Sequence, residues 1–201
     1  MKPLPTESLE RAAALIAEAA PILVFTGAGI SVESGIPPFR GEGGVWGRYD
    51  PSLLDIREFR AKPLASWTAI REIFYESFGL ARPNPAHEIL AAWEERGLVD
   101  FTVTQNIDGL HRMAGTTRLS EFHGAMGELI CVACASRFPA GRELLAPIVP
   151  TCPACGGLLK PDFVFFGEGI PHEARASAFA AAARARLCLI VGSTGQVYPA
   201  A

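Results

Sequence analysis

The chain has 201 residues, 49% of them hydrophobic and 19% charged, which suits one soluble domain with a sizeable core. Its formal net charge at pH 7 is only −3 and its basic residues form no run, which argues against binding of nucleic acid through bulk positive charge. No apolar stretch reaches the roughly 18 residues that span a membrane, and the first ten residues lack the hydrophobic region of a signal peptide, so we expect a cytoplasmic protein.

The first predicted elements are a helix and a short strand. The helix covers residues 6–20, because apolar residues recur at helical spacing and acidic residues occupy its first turn. Its apolar face comprises Leu9, Ala12, Ala13, Ile16 and Ala20. The strand covers residues 22–25 and leads directly into a segment rich in glycine, residues 26–41.

Residues 42–85 predict a small helical insertion, because aromatic side chains are spread among polar residues and prolines. These aromatic residues are Trp46, Tyr49, Phe59, Trp67, Phe74, Tyr75 and Phe78. A helix over residues 86–96 follows and stops at Gly97, and a strand over residues 99–104 comes next.

The last third of the chain contains two apolar segments on either side of a helix. Residues 164–166 are short and apolar, and residues 173–186 predict a helix rich in alanine. Residues 187–191 predict a buried strand, which makes Cys188 a small core residue.

Strands that are apolar throughout and alternate with helices indicate a parallel sheet covered by helices on both faces. The fold class is therefore α/β and Rossmann-like. Ligands of such sheets bind beyond the carboxyl ends of the strands. Polar loops that contain glycine follow Phe25, Val103 and Val191, so we expect the binding site there.

The segment after the first strand uses glycine where backbone can come close to a ligand. Gly27 and Gly29 fit the tight turn of a dinucleotide site. The usual third glycine would fall at Val32, and no acidic residue ends a clear second strand about 20 residues later. Spacing alone leaves a nucleotide site and a structural turn open, and we favour the ligand.

Four of the five cysteines form two C-x-x-C pairs, a pattern typical of tetrahedral zinc held by thiolates. They are Cys131, Cys134, Cys152 and Cys155. Four thiolates fill the coordination shell and leave no position for substrate or water, so the expected Zn²⁺ is structural. A redox dithiol and a zinc knuckle that grips a partner are the alternatives.

A second polar motif, TQNIDGLH, spans residues 104–111. Its Gln105, Asn106 and Asp108 offer amide and carboxylate groups that suit a polar ligand with an amide of its own. An Asx turn closed by Gly109 explains the same residues, and the pattern does not decide between the two.

Any of four histidines could act as a general base, because imidazole titrates near neutral pH. They are His87, His111, His123 and His172. Spacing does not choose among them, although Gly124 after His123 would let backbone approach a ligand.

In content and order, these motifs resemble the sirtuins, which are NAD-dependent protein-lysine deacylases. The family pattern is GAGIS, SGIP-D-FRG, TQNID-x-LH, a histidine followed by glycine, two C-x-x-C pairs, P-x-x-VFFGE and G-[ST]-S-x-x-V-x-P. The chain carries the corresponding segments at residues 27–31, 34–41, 104–111, 123–124, the four cysteines, 161–168 and 192–199. Such an ordered set is far more specific than any one motif.

The resemblance implies positions for NAD and for a substrate peptide. The residues expected to bind NAD are Gly27, Ala28, Gly29 and Ser31 at phosphate or ribose, Phe39 over the nicotinamide side of the sugar, Arg40 near the phosphates, Gln105, Asn106, Ile107 and Asp108 around nicotinamide, and Gly192 and Ser193 at the adenosine half. Val164, Phe165 and Gly167 would pair with an extended peptide as an added strand.

The implied reaction consumes NAD without hydride transfer. The acyl oxygen of acetyl-lysine attacks the ribose carbon as nicotinamide leaves, and His123 then takes a proton from a ribose hydroxyl so that the hydroxyl can attack the resulting imidate. The products are lysine, nicotinamide and O-acetyl-ADP-ribose. The implied partners are proteins or peptides that contain acetyl-lysine, not nucleic acid or membrane. Mono-ADP-ribosyl transfer, or a non-catalytic zinc-ribbon module derived from a truncated sirtuin, is the alternative.

Three features depart from the family pattern. Pro38 stands where the family usually has Asp, so an acidic partner of the nicotinamide region is missing. Ser193 and Thr194 invert the commoner Thr-Ser order and keep both hydroxyls. Family members continue beyond the position of Ala201, so we expect a C-terminally incomplete domain with an open apolar edge at residues 187–191, weakened NAD binding and a tendency to aggregate.

The resemblance also implies an acyl preference and a division into three parts. Sirtuins that prefer succinyl or malonyl groups carry Tyr-x-x-Arg where this chain has Ile70 and Ile73, so we expect acetyl or another uncharged acyl group. The parts are a Rossmann-like NAD-binding domain (residues 1–41, 86–123 and 161–201), a helical insertion (42–85) and a zinc-ribbon module (124–160).

Overall fold

The structure, a computed structural model, describes residues 5–41 and 43–200. The predicted domain ranges reach beyond the described residues only at residues 1–4, 42 and 201. The side chain of Phe78, one of the predicted aromatic residues of the insertion, also lies outside the described part.

Four parallel strands form the central sheet. They are β1 (Ile22–Thr26), β2 (Val99–Thr104), β3 (Leu119–Glu121) and β7 (Cys188–Val191), arranged in the order β3-β2-β1-β7. Thr26 pairs with Thr104 on one side and with Val191 on the other. Thr104 in turn pairs with Glu121. All four strands therefore end at one level, and the loops that follow them meet at one edge of the sheet.

Helices cover both faces of this sheet. The α-helices are α1 (Thr6–Ala19), α2 (Ile56–Ala61), α3 (Pro63–Ile70), α4 (Pro85–Glu95), α5 (Leu110–Met113) and α6 (His172–Arg184). On one face, Ile16 of α1 and Leu90 of α4 pack against β1 and β2. On the other face, Ala178 and Ala181 of α6 pack against the same two strands. The predicted α/β fold with a parallel sheet between helices is confirmed.

Asn84 determines where α4 begins. Its side chain accepts a hydrogen bond from the Ala86 N–H (3.0 Å), and the His87 side chain accepts one from the Asn84 N–H (3.4 Å), which satisfies two donors of the first turn. The amide nitrogen of Asn84 also donates to the Ile30 carbonyl (2.7 Å). The same residue therefore caps the helix and ties it to the 3₁₀ helix Ala28–Ser34 that follows β1.

A second, antiparallel sheet carries the cysteines, in the order β5-β4-β6. Its strands are β4 (Gly124–Cys131), β5 (Arg137–Pro139) and β6 (Leu159–Phe163). Between β1 and α4, the insertion contains α2, α3, the 3₁₀ helices Val45–Gly47, Pro51–Leu54 and Phe78–Leu80, and the π-helical segment Arg71–Ser77. Strand β6 crosses the predicted boundary between residues 160 and 161, and the division into three parts stays a prediction.

The insertion and the second sheet share one hydrophobic core. Phe59, Trp67 and Phe74 of the insertion are fully buried and pack in one cluster with Leu129 of β4 and Leu159 of β6. The Trp67 indole N–H donates to the Leu159 carbonyl (2.9 Å), so the buried polar atom of this side chain is satisfied. Since this core holds most of the predicted aromatic residues, the insertion depends on the cysteine-bearing sheet for its packing.

Two sequence predictions about burial are wrong. Cys188, expected in the core, is exposed, and Ile190 of the same strand keeps 58% of its surface exposed. The reason is that β7 is an edge strand of the sheet in the described part of the chain, as the sirtuin resemblance implied. Helix α1 contacts the sheet only through its last turns, so Leu9, at the start of its predicted apolar face, is 52% exposed. None of the helices described here combines the length and apolar character needed to cross a bilayer.

Candidate active site

A cleft of about 510 Å³ lies beyond the carboxyl ends of β1, β2 and β7. Most of the predicted NAD, base and peptide residues line it, namely Gly27, Ala28, Gly29, Phe39, Arg40, Gln105, Asn106, Ile107, His123, Val164, Phe165, Gly167, Gly192 and Ser193. Segments that are far apart in the sequence therefore meet in one space, where the parallel sheet places ligands. The four cysteines lie elsewhere.

Two glycine loops cross at the floor of this cleft. A Cβ atom on Gly29 would lie 2.7 Å from the Gly192 Cα, and one on Gly192 would lie 2.1 Å from the Ile30 nitrogen. The Gly29 N–H donates to the Gly192 carbonyl (2.9 Å), and the Gly27 N–H donates to the Val191 carbonyl (3.0 Å). Backbone packing therefore requires glycine at positions 29 and 192, and the N–H groups of Gly27 and Gly29 are already used within the protein.

Ala28 differs from its two glycine neighbours. It lines the cleft, and no hydrogen bond among the described residues uses its N–H. An unpaired N–H at the wall of a cleft is a donor for an anionic oxygen. Arg40 lines the same cleft and brings a positive charge to it.

We expect Gly192→Ala to lower the free energy of unfolding by at least about 2 kcal/mol, since the new methyl group would overlap backbone that cannot rotate away. Gly195→Ala is the matched control, because Gly195 has a similar left-handed φ (+63° against +67°) but nothing within 4 Å of its Cβ position. Urea unfolding of the two variants measures the difference. Equal stabilities would show that the loops do not cross this closely.

His123 lies between β3 and β4, with its ring in the cleft wall. Its Nδ1 is 3.0 Å from the Gln105 carbonyl oxygen. Because a carbonyl only accepts, Nδ1 carries the proton, and Nε2 is left with a lone pair that no described residue uses. Burial lowers the pKa of His123, and the hydrogen bond to Gln105 offsets part of this shift. The imidazole is thus neutral at physiological pH and oriented to accept a proton at Nε2.

Gln105 and Asn106 connect the loops around this histidine. The Gln105 side chain donates to the Ser193 hydroxyl (2.7 Å). The Asn106 Nδ2 donates to the Gly27 carbonyl (3.2 Å) and to the Ser31 hydroxyl (3.1 Å). These bonds fix the orientation of the Asn106 amide, and its Oδ1 is left without a partner among the described residues. Asn106 therefore presents an acceptor to the cleft.

Ser31 and Asp108 do not line the cleft, although the resemblance places them in contact with NAD. The buried Ser31 hydroxyl donates to Asp108 Oδ2 (2.7 Å) while it accepts from Asn106. Asp108 Oδ1 accepts from the Leu110 N–H (2.9 Å) and so starts α5. The structure places both residues beneath the cleft, where they orient Asn106, and their contact with NAD stays a prediction.

A buried polar network that sequence reasoning did not find supports the same loop. The Thr26 hydroxyl donates to Thr104 Oγ1 (2.8 Å), which also accepts from the Asn106 N–H (3.1 Å). Since Thr26 gives its proton to Thr104, His111 donates from Nε2 to Thr26 Oγ1 (2.9 Å). The His111 ring packs edge-on against His87, with 4.9 Å between ring centroids. Thr104 and His111 are the ends of TQNIDGLH, but the motif does not reveal their bond to Thr26.

This network predicts a pH-dependent stability. Burial, with a smaller contribution from His87, lowers the pKa of His111 to about 4, from an ordinary value of about 6.5. The unfolded chain therefore binds one more proton than the folded chain between these two values. The free energy of unfolding should fall by up to about 3 kcal/mol from this residue as the pH drops from 6.5 to 4.

The measurement compares urea unfolding at several pH values for the wild type and for His111→Gln. The pH slope should be smaller in this variant, whatever its absolute stability. His172→Gln, at an exposed histidine, is the control and should keep the wild-type slope. An unchanged slope in His111→Gln would contradict the buried neutral imidazole.

Aromatic side chains form one wall of the cleft. The ring centroids of Phe39 and Trp46 are 5.4 Å apart, and those of Phe39 and Phe74 are 6.5 Å apart. The loop that carries Phe39 closes through a bond from the Val45 N–H to the Pro38 carbonyl (2.9 Å). This bond uses the carbonyl and not the missing N–H of proline, so Pro38 is compatible with a closed loop. The places of Trp46 and Phe74 in the wall were not predicted.

Ile70 and Ile73 do not lie in this wall. Both are buried in the core of the insertion, with exposed fractions of 0% and 4%, and neither lines the cleft. The alignment on Trp67 placed them at the acyl-selecting positions, but the helical register turns them into the core. If the protein prefers an uncharged acyl group, as expected, the aromatic side chains of the cleft wall must select it, and not Ile70 and Ile73.

The predicted peptide-binding segment is held from behind by several backbone hydrogen bonds. The Phe166 N–H donates to the Leu54 carbonyl (2.8 Å), and the Val164 N–H donates to the His123 carbonyl (2.8 Å). The Phe165 N–H donates to the Glu168 carboxylate (2.9 Å). Two polar groups of this segment, the Val164 carbonyl and the Gly167 N–H, have no partner among the described residues and are available to an added strand.

The four predicted metal ligands form one cluster, whose sulfur atoms all lie within 4.8 Å of one another. The Sγ atoms of Cys131 and Cys155 are 3.5 Å apart, and those of Cys134 and Cys152 are 3.7 Å apart. Sulfurs about 2.3 Å from a tetrahedral zinc ion would be about 3.8 Å apart, so the cluster fits zinc. The N–H groups of Ala133 and Cys134 point at Cys131 Sγ and hold this sulfur in place.

Fold and site together define an α/β protein with a nucleotide-type cleft at the edge of a parallel sheet and a separate four-cysteine metal site. The model of the Sir2 family matches residues 27–199, and the chain belongs to the Sir2, or sirtuin, family.

Two relatives and one solved structure illustrate the similarity. The NAD-dependent protein deacetylase 1 of Pyrobaculum aerophilum is 40% identical over 197 residues, which cover 97% of this chain and 77% of the relative. The NAD-dependent protein deacylase of Thermococcus kodakarensis is 43% identical over an alignment of 209 residues, gaps included, which covers 96% of this chain and 77% of the relative. A structure of Sir2 with deacetylated p53 peptide and 3′-O-acetyl ADP ribose has a TM-score of 0.90 at 37% identity, covering 96% of this chain and 79% of that one.

Proposed function

We propose that this protein is an NAD-dependent protein-lysine deacetylase that converts acetyl-lysine, NAD and water to lysine, nicotinamide and O-acetyl-ADP-ribose. One observation carries the proposal: the His123 imidazole lies in the wall of the same cleft as the glycine crossing and Asn106, with Nδ1 anchored to Gln105 and Nε2 free. The names of the relatives and the 3′-O-acetyl ADP ribose in the related structure support it.

The cleft offers complementary groups along the length of NAD. Gly192 and Ser193 receive the adenosine half, and the Ala28 N–H and Arg40 guanidinium receive the phosphates. The free Oδ1 of Asn106 accepts from the carboxamide N–H₂ of nicotinamide. NAD supplies a ribose carbon with nicotinamide as its leaving group, which the acyl oxygen of the substrate displaces.

His123 acts after nicotinamide has left. Its Nε2 takes the proton of a ribose hydroxyl, so that the hydroxyl oxygen can attack the acyl carbon, which is now linked to the sugar through the former acyl oxygen. The lysine amine then leaves with a proton, and water adds to the acyl carbon to give O-acetyl-ADP-ribose. The bond to the Gln105 carbonyl keeps the proton of the neutral ring on Nδ1 and stabilises the imidazolium that forms.

The substrate peptide binds as an extended strand against residues 164–167. The Val164 carbonyl and the Gly167 N–H supply the backbone hydrogen bonds, and Phe165 lies between them in the cleft wall. Phe39, Phe74 and their neighbours form an apolar wall that suits an acetyl group and disfavours a carboxylate-bearing acyl group. Substrates are therefore acetyl-lysine proteins or peptides.

The four thiolates of the cysteine cluster would hold a structural Zn²⁺. The chain would consist of the three predicted parts, namely the NAD-binding domain, the helical insertion and the zinc-ribbon module. We place the protein in the cytoplasm, acting without direct nucleic-acid or membrane contact. The small net charge of −3 agrees with this assignment.

Mass spectrometry of NAD and an acetyl-lysine peptide incubated with the protein tests the function. We expect O-acetyl-ADP-ribose and nicotinamide in equal amounts, each dependent on the peptide. If the NAD is labelled in its ADP-ribose part, retention of the label on protein without deacetylated peptide would instead indicate mono-ADP-ribosyl transfer. No consumption of NAD at all would leave a non-catalytic zinc-ribbon binding module and would overturn the proposal.

A further inference from the structure

Lys160 is a buried cation directly behind the segment that receives the peptide. Only 6% of the residue is exposed, and it does not line the cleft. Its ammonium donates to the Pro161 carbonyl (2.9 Å) and the Phe163 carbonyl (2.8 Å) and lies 3.1 Å from the Glu168 carboxylate. All three N–H bonds of the ammonium are therefore used, each on the chain between residues 161 and 168.

Glu168 extends this arrangement to the segment itself. The carboxylate oxygen that contacts Lys160 also accepts the Phe165 N–H (2.9 Å), and the Glu168 N–H donates to the Phe165 carbonyl (3.0 Å). The Lys160 nitrogen lies 4.6 Å from the centre of the Phe165 ring, within the range of a cation–π contact. The ion pair thus fixes the N–H and the ring face of Phe165, and the Glu168 backbone fixes its carbonyl.

The Lys160–Glu168 ion pair binds some backbone groups of residues 163–167 and leaves others unbound. The Phe163 carbonyl and the Phe165 N–H point towards the ion pair, whereas the Val164 carbonyl and the Gly167 N–H have no partner in the described chain. Gly167 adopts a left-handed φ of +87°, which completes the turn. The Val164 carbonyl and the Gly167 N–H are therefore left for a peptide, while the ion pair holds the neighbouring Phe163 carbonyl and Phe165 N–H.

We propose that Lys160 is a positioning residue which, through Glu168, holds residues 164–167 in the conformation that binds the acyl-lysine peptide. This inference rests on the proposed deacetylase function. A buried ion pair contributes little to stability compared with apolar side chains of similar size. We infer that the role of the Lys160 charge is to specify the backbone conformation of residues 164–167. Burial lowers the pKa of Lys160, and Glu168 opposes the shift.

The test is the steady-state kinetics of Lys160→Met and Glu168→Gln with NAD and an acetyl-lysine peptide. Methionine keeps the length and volume of Lys160 but removes the donor of two carbonyls and the cation beside the Glu168 carboxylate. We expect the KM for peptide to rise about 10- to 100-fold in Lys160→Met, with the KM for NAD within about two-fold of the wild type. Lys62→Met is the matched control, because Lys62 forms an exposed ion pair with Glu58 (3.0 Å) and should change neither KM.

Glu168→Gln gives a second reading if Lys160→Met does not fold. It removes the charge and keeps an oxygen for the Phe165 N–H, so we expect a smaller increase in the KM for peptide, again without an effect on NAD. A purely structural role would lower Tm and change both KM values alike, which overturns the inference. An unchanged KM for peptide in a folded variant overturns it as well. A wild-type protein that neither binds nor turns over the peptide would instead overturn the proposed function.

Discussion

Replacement of His123 by alanine should lower kcat for deacetylation by about 10²- to 10⁴-fold, the contribution of a positioned general base. The fold should survive, because the side chain is only partly buried and forms a single hydrogen bond, from Nδ1 to the Gln105 carbonyl. Calorimetry should show that NAD still binds, since Gly192, Ser193 and Arg40 remain in place. His172→Ala, at an exposed position, is the control and should keep full activity.

The pH profile of the wild type gives an independent reading of the same residue. The base form of His123 is the neutral ring, and burial lowers its pKa below the ordinary value of about 6.5. We therefore expect the midpoint of the kcat/KM profile to lie below pH 6.5, with a plateau on the alkaline side and a fall on the acid side as the ring becomes protonated. A rate that increases as the pH falls through this range would contradict a general base at this position.

Removal of zinc should have the second large effect. Structural zinc contributes about 10–16 kcal/mol in zinc-finger peptides at pH 7. Strand β4 runs from the residue after His123 to Cys131, and β6 leads into Val164. The sheet that carries the cysteines therefore also positions the base and the peptide-binding segment. Dialysis against a chelator should abolish deacetylation and lower Tm by more than 10 °C, roughly the effect of losing a few kcal/mol.

Cysteine substitutions separate this effect from damage by the chelator. Cys131→Ser should reproduce the loss of zinc, of activity and of thermal stability. Cys188→Ser is the control, because Cys188 is exposed on β7 and outside the cluster. Restored Tm and activity after addition of Zn²⁺ to the chelated wild type would support a structural metal. A chelated protein with an unchanged Tm would contradict it.

Much of the fold follows from local patterns in the sequence. The strands predicted at residues 22–25 and 99–104 alternate with predicted helices, which indicated a parallel sheet, and the level ends of these strands bring their loops together. The C-x-x-C spacing predicted the cysteine cluster without any help from the family. His123 is different, because only the resemblance selected it from four histidines. Spacing carries no information about which imidazole reaches the cleft.

What the sequence could not predict depends on tertiary contacts. An apolar run does not reveal whether its strand lies at an edge, so Cys188 was placed in the core and is exposed. Helical register around Trp67 turns Ile70 away from the cleft, whereas Phe74, which is equally buried, lies in the cleft wall. The three hydrogen-bond partners of Lys160 lie within eight residues of it, but no local pattern shows that the chain folds around its ammonium.

A crystal structure of the protein with NAD and an acetyl-lysine peptide tests the central claim most directly. We predict nicotinamide beside Asn106 and Ile107, with the adjoining ribose hydroxyls within hydrogen-bonding distance of His123 Nε2. The peptide backbone should bond to the Val164 carbonyl and the Gly167 N–H. An NAD molecule bound outside this cleft, or with its nicotinamide ribose more than one water molecule away from His123, would contradict the account.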